Sequence, residues 1–236
     1  MSPFDHESFS DGDWDDREDL AWNEFDWEQY LRQQDRSIGK FLHLYDKHFE
    51  RPDRLDYIAS LMNWDTEDWT PAENRDFSED PDFILENEPL DNPSSPEEEW
   101  EPYTLHRHPV YIASKALYLY LQAQVHQLGR TTRVSPPLLL GLSQTYQEGE
   151  NNLLLAVQAM DFGDYSLCTA QMKRALAILN RSLHHLEEVN IAHKDSAGEI
   201  YQNAIARIFD LREMWLRVMG FCREEINRFR DEEEND

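Results

Sequence analysis

The side chains best suited to chemistry lie in the stretch His184-His185-Leu186-Glu187-Glu188. On a helix, His184 with Glu187 and His185 with Glu188 form His-x-x-Glu pairs that share a face. Imidazole nitrogens and carboxylate oxygens on one face suit a divalent metal, and His126 or Glu148 would complete the set from a neighbouring helix. Di-iron bundle proteins use the reverse order, Glu-x-x-His, on two helices with further glutamates. These four residues are therefore metal candidates without being a motif, and the plainer expectation is a polar edge beside Leu183 and Leu186.

His43, Asp46 and His48 form a second loose group, and His106 and His108 a third, placed like surface or capping histidines. Asp11, Asp13 and Asp15 alternate as a calcium loop begins, but Asp16 replaces the required glycine and Trp22 stands where the closing glutamate belongs. Cys168 and Cys222, the only cysteines, are too far apart in sequence for a clustered thiolate site and fall in apolar seams, as small core residues do. No glycine-rich phosphate loop, nucleophile-elbow serine, His-Glu-x-x-His pair or Cys-x-x-Cys is present. No catalytic residue is assigned, and no motif calls for a cofactor.

The elements that would position these groups are helices. Pro109 opens the first long one, which carries Val110, Ala113, Leu117, Leu121 and Val125 to Leu128, with Gly129 as its expected left-handed cap. Ser135 and Pro136 open the second, which runs through Leu139, Leu142, Tyr146, Leu153, Val157 and Met160 to Gly163. Gly149 interrupts its apolar stripe and predicts either a close approach by a neighbouring helix or a kink. Asp164 caps a third, whose Cys168, Met172, Leu176, Leu179, Leu183 and Leu186 make one seam.

Ser196-Ala-Gly-Glu199 has the capping-box pattern for a fourth, running to about Arg230 with Tyr201, Ile205, Ile208, Trp215, Met219, Cys222, Ile226 and Phe229 near heptad spacing. Arg212 interrupts that seam, so either Leu211 turns inward or a buried guanidinium holds a carboxylate from the acidic region. Phe162-Gly-Asp-Tyr165 followed by Ala170, Ala175 and Leu176 resembles the turn and second helix of a tetratricopeptide repeat. A single copy cannot form the stacked array of that family. Four long helices with short connections predict an all-α fold, an antiparallel four-helix bundle over residues 109–230.

Of the seven tryptophans, Trp14, Trp22, Trp27, Trp64, Trp69 and Trp100 lie in the first 101 residues, which also hold 31 acids against 8 bases. Disordered acidic segments are poor in aromatics, so this region is expected to fold on the bundle or onto a partner. Residues 1–64 read as an acidic, aromatic-rich helical region. Trp27, Leu31, Ile38, Phe41, Tyr45 and Phe49 form a helical face with a possible break near Ser37-Ile-Gly39. A short helix then starts near Pro52, turns Leu55, Ile58, Leu61 and Met62 inward and ends at Asn63 or Trp64. Residues 65–108 read as an acidic, Pro-rich connection, packed on the bundle or mobile, and 231–236 as an acidic tail.

The net charge of −26 leaves too few cations for phosphate neutralisation, which argues against direct nucleic-acid binding and against an anionic membrane surface. With no long apolar run and no basic, apolar leader at the N-terminus, the expected location is the cytoplasm. The charge and the tryptophans together point to a non-catalytic interaction protein, adaptor or regulator, in which Trp14, Trp22, Trp27, Trp64 and Trp69 meet a basic protein partner. Charge mimicry of DNA is a special case. The alternatives are a bundle metal protein or enzyme using His184, His185, Glu187 and Glu188, and a homodimer paired through the fourth helix.

Overall fold

Proline or aspartate stands at the start of four of the five helices in the computed structural model, which describes residues 23–64, 108–131 and 133–235. Trp14, Trp22, Trp69, Trp100, His106, the Asp11-Asp13-Asp15 run and residues 65–107 of the expected connection lie outside the described residues. The elements are α1 (Glu24–Lys47), α2 (Arg54–Leu61), α3 (Pro109–Thr131), α4 (Pro136–Asp161) and α5 (Tyr165–Asn235). The protein is all-α, with a helical bundle built from α3, α4 and α5. The chain divides into two units, Met1–Arg36 and Ser37–Asp236.

In the first unit, Asn23 starts α1: its Oδ1 accepts the amides of Phe25 (2.8 Å) and Asp26 (3.2 Å). The Asp26 carboxylate returns a bond to the Asn23 amide at 2.9 Å, the reciprocal arrangement that satisfies the exposed donors of a helix start. Tyr30 and Gln34 are buried and joined by a Gln34 Nε2 to Tyr30 hydroxyl bond of 2.9 Å. The expected face is thus rotated in this unit: Trp27 is 40% exposed and Leu31 43% exposed, while Tyr30 and Gln34 are buried. Nor is the helix broken near Gly39, since it is continuous to Lys47.

In the second unit, Leu55, Ile58 and Leu61 of α2 are buried as expected. The helix ends in a left-handed turn at Asn63 (φ 56°), with the Trp64 amide donating to Ala59 O at 3.0 Å and the Asn63 amide to Ser60 O at 3.1 Å. This turn lays the Trp64 ring on Phe41, with centroids 5.7 Å apart and planes at 16°. Trp64 is therefore packed against the core cluster.

Helix α3 starts at Pro109, but it runs through Gly129 to Thr131 instead of being capped there. Pro136 is the first-turn residue of α4; Ser135 has the extended backbone of an N-cap, but its hydroxyl makes no capping bond. The close approach anticipated at Gly149 is real. A Cβ there would overlap the Tyr118 hydroxyl oxygen and lie 3.1 Å from Tyr118 Cζ. Absence of that carbon lets the phenol of α3 sit against the α4 backbone.

At the other end of α4, Gly163 takes φ 76°, and the Asp164 amide donates to Ala159 O at 2.9 Å. Asp164 then caps α5, accepting the Leu167 amide at 2.9 Å. Helix α5 has 71 residues and one non-helical backbone position, His193. That departure divides α5 into two arms that fold back on each other: Cys168 meets Cys222, Asn180 meets Arg212 and Tyr165 meets Phe221. The break lies before the expected cap, and the backbone around Ser196 is already helical. At the other terminus, the residues expected as a tail continue α5 to Asn235.

The core joins residues of all five helices within Ser37–Asp236. Its largest member, Trp215, is fully buried and donates from Nε1 to Ser114 Oγ of α3 at 3.1 Å. Leu211 is buried and Arg212 exposed, its Nη1 reaching Asn180 Oδ1 at 3.4 Å, so Arg212 is not a buried seam residue.

Candidate functional site

Of the expected metal donors, His184, Glu187 and Glu188 are on the outside of α5, and His185 is half-buried beside Gly141 of α4. His184 Nε2 and His185 Nδ1 approach the two oxygens of Glu188, at 3.4 and 3.5 Å, all on one helix. Glu187 is exposed. Across the bundle, the Glu148 carboxylate is held by Arg181 at 2.6 Å, and His126 is exposed. Among the described residues there is no group of three or more His, Cys, Asp or Glu able to hold a metal ion. The His43, Asp46 and His48 group is dispersed too: His43 is exposed, His48 is buried with its ring 4.9 Å from Tyr57, and Asp46 pairs with Arg207. His108 takes the capping role, accepting the Val110 amide on Nδ1 at 3.2 Å.

The most extensive polar arrangement among the described residues was not visible as a motif in the sequence. It lies where the segment 45–56 meets the C-terminal arm of α5. Arg54 binds the Asp210 carboxylate with two nitrogens, Nε to Oδ2 at 2.6 Å and Nη2 to Oδ1 at 2.7 Å. The Tyr45 hydroxyl donates to the same Oδ2. Burial and then the Asp210 carboxylate push the Tyr45 phenol well above its ordinary pKa. Burial opposes the Arg54 charge, but its hydrogen bonds to Asp210 and the adjacent Tyr45 outweigh that and raise its pKa.

One turn before Asp210, Arg207 is only 3% exposed. It pairs with Asp46, donates from Nη1 to Asn203 O at 3.1 Å and lies flat against aromatic rings, 3.5 Å from the Tyr120 centroid and 4.8 Å from that of Phe49. A guanidinium suits this site because its weakly hydrated plane stacks while its edge pairs. Farther along, Arg217 joins Asp56 at 2.5 Å and its own neighbour Glu213 at 3.0 Å. The buried guanidinium that holds a carboxylate of the acidic region is thus Arg207, not Arg212. The sequence signal was a basic residue at a position i, i+4 from Leu211, inside the buried stripe.

These paired charges fasten the fold. The exposed face of α1 in the first unit is different. Glu24, Glu28, Leu31 and Asp35 fall on one helical row, Trp27 is one turn from Leu31, and all five are exposed. Phe25 is exposed as well. Among the described residues, no helix is long and apolar enough to cross a membrane. Compared with protein families, curated proteins and solved structures, the chain matches none.

Proposed function

We propose that the protein is a non-catalytic helical interaction protein, an adaptor or regulator, whose acidic, aromatic-rich N-terminal region docks a basic partner. The observation that carries this reading is the exposure of Trp27 and Leu31 beside Glu24, Glu28 and Asp35. Large apolar side chains cost free energy in water and return it when a partner covers them. Carboxylates around them steer a Lys- or Arg-rich ligand and set its orientation. The first 101 residues hold 31 acids against 8 bases, a charge balance that favours a basic ligand.

A fluorescent amphipathic peptide rich in lysine and arginine tests the reading by anisotropy against the full-length protein. Replacing Trp27 and Leu31 together by alanine should weaken binding at least about tenfold, as expected for central apolar anchors. Raising salt from about 0.05 to 0.5 M should weaken it further by screening. Equal binding by the double variant would leave only non-specific charge attraction and overturn the reading.

A further inference from the structure

The only two cysteines of the chain are 54 positions apart, yet the α5 hairpin brings their sulfur atoms to 3.5 Å. Both are free thiols with no exposed surface. A disulfide bond is about 2.05 Å long, so closing this gap asks for roughly 1.5 Å of combined sulfur movement, within the reach of small side-chain rotations. The pair lies on facing arms, far from the His193 turn, where a covalent link has most to constrain. We propose that Cys168 and Cys222 are a redox modification site at which a hydroperoxide forms an internal disulfide that staples the two arms of α5.

The step balances with hydrogen peroxide as the oxidant. Cys222 loses its proton, its thiolate attacks one peroxide oxygen, the O–O bond breaks, and the departing hydroxide takes up the proton that Cys222 released, giving water and a Cys222 sulfenic acid. Cys168 sulfur then attacks Cys222 sulfur. The S–S bond forms as the S–O bond breaks, and a second water leaves with the Cys168 proton. Two thiols are oxidised and one peroxide is reduced to two waters.

The surroundings distinguish the two thiols. The hydrogen bond shared with Cys168 lowers the pKa of Cys222 against the effect of burial, with help from Arg223. Cys168 is held protonated by that same bond, by burial and by Asp161 and Asp164. Leu167 and Phe221, the chain neighbours of the two cysteines, are exposed, as is Phe229. Tyr165, three positions before Cys168, packs against Phe221 and Phe229 at 6.0 and 6.2 Å, so the staple would fix this aromatic end of the hairpin.

The test uses reduced full-length protein treated with hydrogen peroxide, unfolded, alkylated and mapped without reductant. Free thiols should fall from two to none per chain, with a Cys168–Cys222 peptide, a monomeric band on a non-reducing gel and reversal by dithiothreitol. The thermal midpoint should rise on oxidation, because the crosslink restricts the unfolded chain. C168A and C222A, checked for native helicity by circular dichroism, should show no such rise. Two titratable thiols surviving peroxide doses that oxidise the unfolded chain, or crosslinks only between chains, would overturn the proposal.

Discussion

Arg54 and Asp210, 156 positions apart, are joined through both guanidinium edge nitrogens and both carboxylate oxygens. Their side chains are only 19% and 12% exposed. The pair therefore brings α2 and the last arm of α5 together with fixed geometry in a site with little water.

Replacing Asp210 by asparagine removes the charge and leaves the Arg54 guanidinium and the Tyr45 hydroxyl with a weaker acceptor. Urea unfolding should show a loss of about 2–4 kcal/mol, in the range for breaking a largely buried ion pair by changing one partner. A cycle with Arg54→Met should return part of that loss, because removing both charges costs less than stranding one. Additive losses would show that the two side chains do not act as a pair.

Arg207 tests shape rather than charge. Lysine keeps the positive charge but cannot lie flat on Tyr120 while pairing with Asp46, so Arg207→Lys should cost about 1–2 kcal/mol. Wild-type stability in the lysine variant would mean that charge alone suffices there.

Gly149→Ala sets helix propensity against space. Alanine favours the helix by about 1 kcal/mol, but the new methyl meets the Tyr118 hydroxyl, and overpacking of this kind costs about 1–3 kcal/mol. The variant should be less stable than the wild type, and adding Tyr118→Phe should recover much of the loss by removing the overlapping oxygen. Failure of phenylalanine to help would place the conflict elsewhere.

Alkaline pH should unfold the protein through its buried phenols. Burial raises the pKa of Tyr118 and Tyr146, as burial and Asp210 do for Tyr45. The native state thus keeps these protons when the unfolded chain releases them. Their stabilising contribution is complete below the unfolded value of about 10 and is lost as pH climbs above it, at about 1.4 kcal/mol per pH unit for each phenol that stays protonated. Urea midpoints from pH 8 to 11 should be level and then fall steeply. Phenolate absorbance from these three residues should appear only with loss of helicity.

Boundaries set by local chemistry were legible in the sequence: Pro109, Pro136, Gly163 and Asp164 each act within a few residues of themselves. The glycine at 149 also announced its neighbour, although not that the neighbour was Tyr118. Where two apolar choices lay three positions apart, periodicity did not decide between them, and α1 turns Tyr30 inward instead of Trp27. The α5 turn escaped for a different reason. No glycine or proline marks His193, while the capping pattern at Ser196 offered a stronger local signal nearby. For the candidate site, Trp27 was named from composition and Leu31 only as part of the expected α1 face, and the exposure of both depends on that rotation of α1. The Arg54–Asp210 and Arg207–Asp46 pairs could not be read in advance, since charge complementarity across some 160 positions admits many pairings.

Those long separations also order events during synthesis. Asp46, Arg54 and Asp56 leave the ribosome well before Arg207, Asp210 and Arg217 exist. At roughly 5–20 residues per second the delay is about 8–30 s. The two arms of α5, by contrast, are neighbours in the chain and can pair as soon as both emerge. The earliest helices made are therefore the last to be secured, and through that interval the nascent chain carries Tyr45 and Arg54 without the Asp210 carboxylate that both bind.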